Sequence, residues 1–199
     1  MRMAMSKHRR GGHAGFTLTE LVVVMAVFLI ASAVAMPQLG RALELYRLGI
    51  AVREMERELQ TARVNAVQAN RPVRVLFNCP VAGQFRRVEL LGEPGLPDGR
   101  DAATSRCNDT TFPYPAPDQD PLTRPNLDGP LHRLPNGVTM GGVGGVEFLP
   151  NGTARSAAVG SFAFGDIGVT GVQATATKGA TSRSITINGM GRVFVMGRR

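Results

Sequence analysis

Apolar residues change their spacing twice along this chain. From 16 to 36, FTLTELVVVMAVFLIASAVAM, they run almost unbroken, and Glu20 is the one charge among 21 residues. At about 1.5 Å rise per residue a helix of that length crosses the hydrocarbon core of a bilayer. From 37 to 71 the period is helical. Leu45, Leu48, Val52, Met55, Leu59, Ala62 and Ala66 step by three and four, while Arg47, Arg53, Glu54, Arg57 and Glu58 lie off that line. This predicts an amphipathic helix packed on a domain. Gly49 weakens it by about 1 kcal/mol against Ala, and Asn70 before Arg71-Pro72 ends it.

After Pro72 the pattern turns to strands. VRVLFNC (73–79) and QFRRVELL (84–91), linked through Val81-Ala82-Gly83, predict a hairpin. The Pro-rich stretch 92–136 excludes a central strand or long helix and is expected to be a loop. Strands resume at VTM (138–140), VEFLPNGTAR (146–155), SFAFG (161–165), VQATATK (172–178) and SITINGMGRVFVM (184–196). Asn151-Gly152 and Asn188-Gly189 are hairpin-turn signals. The region 72–199 is thus a β-rich domain, and the whole chain is α+β.

Composition adds direction. Gly (24) and Pro (13) favour turn-rich β structure. Half of the formal +8 sits in residues 1–15, where Arg2, Lys7, Arg9 and Arg10 meet no acid. The remaining charge is expected to be mostly a solvated surface, with nucleic-acid binding as the rival reading. Basic residues before the apolar run predict a cytoplasmic amino terminus and an exported C-terminal part. In an oxidising compartment Cys79 and Cys107 can form a disulfide. It would close a loop of about 29 residues, worth roughly 3–4 kcal/mol in the chain-entropy account. The alternative is two unpaired buried thiols. A secretory signal cleaved near Ala31-Ser32-Ala33 fits the long apolar run less well. An unprocessed anchor on a periplasmic binding protein is the other alternative.

A carboxylate in an apolar helix costs about 2.5–3.5 kcal/mol at the membrane centre and less near the interface. Glu20 therefore needs a partner. If the chain is cut after Gly15, the new amino group of Phe16 lies one helical turn away, or meets Glu20 of a neighbouring subunit. Gly15, Phe16, Thr17-Leu18, Glu20 and the apolar run after a basic leader resemble the type IV prepilin signature. The resemblance implies cleavage between Gly15 and Phe16 by a prepilin peptidase, N-methylation of Phe16, and assembly through Glu20. Pro37 stands where pilins often loosen or kink this helix, and also reads as a boundary between membrane and soluble helix.

ARVNAVQANRPVRVLFNC, VEFLPNGTAR and SITINGMGRVFVM resemble the domain shared by type II secretion pseudopilin H (GspH) and the FimT/FimU-like minor pilins. That resemblance implies a pilin fold, a long helix on two antiparallel sheets. Implied partners are other pilins or pseudopilins, the inner-membrane assembly platform and membrane lipid, with a place near a filament tip. It implies no cofactor and no enzyme activity.

Chemistry elsewhere is sparse. Without the leader His132 stands alone, which excludes a plausible Ser-His-Asp triad and a zinc pattern. Gly141–Gly145 lacks the Lys-Ser/Thr of a phosphate loop. Asp118, Asp120 and Asp128 lack calcium-loop spacing. Arg192, Arg198 and Arg199, with Lys178 and Arg183 upstream, form a basic tail able to hold phosphate. Some FimT-like minor pilins bind DNA through Gly-Arg-x-Arg. Here Gly191-Arg192-Val193 fits, and Phe194 replaces the second Arg.

Overall fold

A computed structural model describes residues 16–92, 98–102, 106–116, 127–142, 144–157, 170–176 and 182–198, the side chains of 170–176 and 197–198 excepted. The predicted strand at 161–165 lies outside them. The chain divides into two units, Met1–Gly40 and Arg41–Arg199. One helix, α1 (Leu18–Ala69), contributes to both.

In the first unit every described residue is exposed. The helix starts at Thr17, whose carbonyl accepts from the Leu21 amide and whose hydroxyl accepts from the Glu20 amide at 3.3 Å. Pro37 lies inside the helix.

In the second unit α1 is the spine. Leu48, Ala51, Val52, Met55, Leu59, Ala62 and Ala66 are buried, so the predicted face is the packed one. It begins one step later than expected, because Leu45 is 48% exposed. Glu58, expected off the packed stripe, is also buried. The helix ends where Asn70 adopts a left-handed φ of 53° and the Arg71 amide donates back to the Ala66 carbonyl at 3.2 Å. That is a Schellman-type stop, which asparagine tolerates.

All strand pairs are antiparallel. The first sheet runs β3 (His132–Arg133), β2 (Gln84–Glu89), β1 (Val73–Phe77), β5 (Gly145–Phe148), β6 (Ala154–Ala157). The second runs β4 (Val138–Gly142), β7 (Thr170–Ala176), β8 (Ser182–Ile187), β9 (Val193–Arg198). Val73, Val75, Phe77, Phe85, Val146 and Phe148 from the first sheet and Met140, Ile185 and Ile187 from the second share one core with the α1 stripe. Among its described residues the Pro-rich stretch supplies a 3-10 turn, Gly99–Asp101, and the two-residue strand β3, in keeping with proline's missing amide.

The far face of the first sheet departs from the sequence reading. Its charges were expected in solvent, yet Arg74, Arg86, Glu147 and Arg106 are buried. Arg74 and Glu147 are directly paired across β1–β5, with Nη2 to Oε2 at 2.7 Å, and Arg155 joins the same carboxylate from β6. Cys79 and Cys107 form a disulfide with Cα atoms 5.6 Å apart, in a small cluster with Leu76, Val88 and Leu90. It pins the Pro-rich stretch to the hairpin.

Both Asn-Gly signals fall in hairpin turns, β5 to β6 and β8 to β9. The left-handed residues are Gly152 (φ 80°) and Gly191 (φ 71°), one at the end of each turn. Arg63 of α1 joins the two turns, donating to the carbonyls of Gly152 at 3.2 Å and Met190 at 3.1 Å. A Cβ on Gly191 would stand 2.3 Å from the Gly152 carbonyl oxygen. Gly191→Ala should therefore cost about 2–4 kcal/mol, backbone strain plus overlap. At Gly83, also left-handed but with open space around it, the same change should cost only the strain, about 1 kcal/mol. Urea unfolding of both variants measures the difference; equal losses would show that the approach of the two turns is not tight.

Candidate assembly and binding sites

The first candidate site is the start of α1. Leu18, Leu21 to Val24, Phe28, Leu29 and Ile30 are exposed apolar side chains. The helix is long and apolar enough to cross a membrane. Glu20 occupies its third position. Thr17 is the cap, and its hydroxyl lies 3.5 Å from the Glu20 carboxylate. Thr17-x-x-Glu20 is thus a capping pair, a local role that the sequence reading missed although the Thr-x-x-Glu spacing signals it. The carboxylate also sits at the positive end of the helix dipole. Gly15 lies outside the described residues. Phe16 is exposed.

The second is the anchoring of the Pro-rich stretch. Arg86 is fully buried and donates to the carbonyls of Gly129 (2.9 Å), Arg106 (2.9 Å) and Phe112 (2.7 Å). Arg106, equally buried, pairs with Asp101 at 2.9 Å and Asp128 at 2.6 Å and lies over the Phe112 ring. Burial pushes the Asp128 carboxyl up from its ordinary value, against the pull of Arg106. Burial likewise lowers Arg86. Asp128 is therefore an internal ion-pair partner; Asp118 and Asp120 lie outside the described residues. No group of three His, Cys, Asp or Glu among the described residues could hold a metal.

His132, set aside on sequence grounds, joins a third cluster. It stacks on Phe85 with ring centres 5.0 Å apart. Nδ1 lies 2.7 Å from Glu54 and Nε2 3.6 Å from Glu58, while Glu58 also pairs with Arg87 at 2.8 Å. The i, i+4 spacing of Glu54 and Glu58 places both carboxylates on one side of α1. No sequence signal linked them to a residue 78 positions away.

The basic tail is only partly assembled. Arg192 is exposed and closes the β8–β9 turn, its amide donating to the Asn188 side chain at 2.9 Å. It precedes the final strand, which begins at Val193, rather than lying on it. Phe194, in place of the second Arg, is 46% exposed. Arg198 pairs with Ser182 through the backbone, and Arg199 lies outside the described residues.

Residues 10–36 match the prokaryotic N-terminal methylation motif. No curated protein matches the chain. Among solved structures, the type IV minor pilin FimU of Pseudomonas aeruginosa is similar at 15% identity and TM-score 0.49, over 78% of this chain and 96% of that one. The minor pseudopilin EpsH from the type 2 secretion system of Vibrio cholerae is similar at 9% identity and TM-score 0.46, over 76% and 97%. In this chain the methylation motif leads into a long apolar helix whose later part packs on antiparallel sheets.

The His132 cluster yields a pH dependence. Glu58 foremost, with Glu54, raises the His132 pKa against the opposing effect of burial. A raised folded pKa gives stability that is complete below the unfolded value of about 6.5 and is lost as pH rises through the folded value. The stability gap between the native chain and His132→Gln should therefore be wider at pH 5.5 than at pH 8.5. Unfolding curves at the two pH values check it; a gap that does not change would remove the charged imidazole from the account.

Proposed function

We propose that this chain is a minor pilin or pseudopilin, a structural subunit made as a precursor and assembled into a type IV pilus or type II secretion pseudopilus, at or near its tip. The observation that carries this reading is the exposure of every residue from 16 to 36 around a single carboxylate, inside the stretch that matches the methylation motif. Burying each large apolar side chain there gains about 1.5–3 kcal/mol. Lipid supplies that burial before assembly, and neighbouring helices supply it afterwards.

Prepilin peptidase cuts between Gly15 and Phe16 on the cytoplasmic side, and Phe16 is methylated. The inner-membrane platform then moves the subunit, with its C-terminal part in the periplasm, into the filament. There Glu20 meets a Phe16 ammonium, and Pro37 loosens the helix between the two environments. Mass spectrometry of the membrane-extracted protein should find a chain starting at methylated Phe16. Glu20→Gln should insert normally, since it removes a charge from lipid, but should be recovered in sheared filaments several-fold less. An intact Met1 with the peptidase present, or undiminished recovery of the variant, overturns the reading.

A DNA receptor is the alternative, and exposed Arg192 favours it. Each phosphate neutralised contributes about −0.9 to the slope of log affinity against log salt. Replacing Arg192, Arg198 and Arg199 together should then flatten a slope near −3 towards zero in a mobility-shift titration. Binding that the triple variant retains in full removes the tail from consideration.

A further inference from the structure

The chain enters the second unit at Arg41, shortly after the apolar run ends at Met36. From there α1 leads away and β1 leads back, so the tip of the β1–β2 hairpin returns to the entry end. Side chains connect the parts of that end. Arg47 donates to the Asn136 carbonyl at 3.4 Å, and the Leu134 amide donates to the Gly83 carbonyl at 2.8 Å. Arg183 of β8 reaches the same stretch of helix, its Nη1 4.0 Å from where a Cβ on Gly49 would stand. The segments that meet here, 41–49, 78–84, 132–138 and 182–184, hold Arg41, Arg47, Arg133 and Arg183 against one acid, Glu44. The neighbouring Glu54 is taken by His132.

Between the hairpin tip and the turn before β4 lies an open cavity of about 270 Å³, lined in part by Gly83, Gln84, Arg133, Asn136 and Gly137. Arg133 is exposed and has no carboxylate partner among the described residues. Beside the cavity Val81 is 55% exposed. The tip that carries it is braced. The Asn78 side chain accepts from the Gly83 amide at 3.0 Å and donates to the Met140 carbonyl at 3.3 Å, and Cys79 is tied to Cys107. A firmly held apolar tip next to an unpaired guanidinium and two amide side chains suits the boundary of a bilayer, where one side is apolar and the other anionic.

We propose that this end of the second unit binds the headgroup of an anionic phospholipid, a phosphoglycerol, in the membrane that anchors the chain. Arg133 pairs with the phosphate in the cavity. Gln84 and Asn136 offer donors and acceptors to the glycerol hydroxyls. Arg41, Arg47 and Arg183 attract the surrounding anionic surface, and Val81 enters the interface. A phosphoethanolamine would set its ammonium against the same arginines. Duplex DNA would leave both the cavity and the apolar tip unused. The inference rests on the membrane-anchored part of the reading above and adds the lipid that the exported domain meets while the subunit awaits assembly.

The chain contains no tryptophan, so Val81→Trp places a single fluorescent probe at the tip. The full chain carrying it is reconstituted in phosphatidylcholine vesicles with and without phosphatidylglycerol, and quenching by brominated lipid reports entry of the indole into the bilayer. Quenching should rise severalfold with phosphatidylglycerol, and about 1 M salt should reverse most of the rise. Arg133→Gln should cut the rise about fivefold. Arg57→Gln makes the same charge change about 15 Å further along α1 than Arg47 and should leave the rise intact. Protease resistance checks that the variants fold. Equal quenching in the two vesicles, or a rise lost as fully with Arg57→Gln as with Arg133→Gln, overturns the proposal. Duplex DNA bound by the chain in neutral vesicles and released by Arg133→Gln assigns the cavity to nucleic acid and also overturns it. A chain that starts at Phe16 and enters filaments, yet whose probe ignores lipid charge, defeats this inference and leaves the functional reading standing.

Discussion

Everything in the second unit depends on one line of side chains, Leu48 to Ala66 on α1. The first sheet meets it with Val75, Phe77 and Phe148, and the second meets it with Met140, Ile185 and Ile187. The helix is thus a shared wall rather than an attachment to a finished β domain. Small residues make this geometry workable. Ala51, Ala62 and Ala66 are fully buried, which lets strand side chains approach the helix backbone. Arg63 then fixes the distance between the sheets by holding one turn from each.

The other face of the first sheet solves a different problem. A proline-rich segment is poor in amide donors and rich in carbonyl acceptors, and it cannot satisfy itself by strand pairing. Guanidinium groups have the opposite character, five donors and no acceptor. Arg86 and Arg106 accordingly spend donors on the carbonyls of Arg106, Phe112 and Gly129 and of Glu89, while Arg87, on the helix side of the sheet, donates to the Leu127 carbonyl. Burying unpaired charge would be prohibitive, and Asp101, Asp128 and Glu147 remove that cost locally. The disulfide adds a covalent tie beside the same cluster. The described residues of the Pro-rich stretch are therefore held by their carbonyl acceptors as well as by the apolar contacts of Cys107, Leu127 and Leu134.

That explains which parts were legible in the sequence. Helical period identified the α1 stripe, and period-two runs identified all the described strands except the two residues of β3. The prepilin motif is local and ordered, so it could be read without a fold. The buried charges could not. Arg74 and Glu147 alternate with apolar neighbours just as a solvent-facing strand residue would, Arg86 stands beside a second arginine, and only their buried surroundings reverse the reading. Leu45 failed for a related reason: period gives the phase of a helix, not the residue at which its partner begins. His132 needed a contact across 78 positions. The Asn-Gly signals marked both turns, and the positive φ falls at Gly152 in one and at Gly191 in the other.

The end of the second sheet bears on what the tail arginines do. Among the described residues β9 is an edge strand, paired with β8 alone. Its Phe194, Val195 and Met196 are exposed, and Met190 lies exposed in the turn before it. An uncharged, apolar edge invites pairing with another strand. Arg192 stands two residues before this run and Arg198-Arg199 follow it after Gly197. Charges that bracket an apolar edge oppose edge-to-edge association whether or not they ever meet a phosphate. The spacing itself leans toward that protective role. Two arginines on one face of a strand would sit two residues apart, where a single backbone of phosphates could use both. Here the position two residues after Arg192 is the half-exposed Phe194, and the next arginine is six residues on.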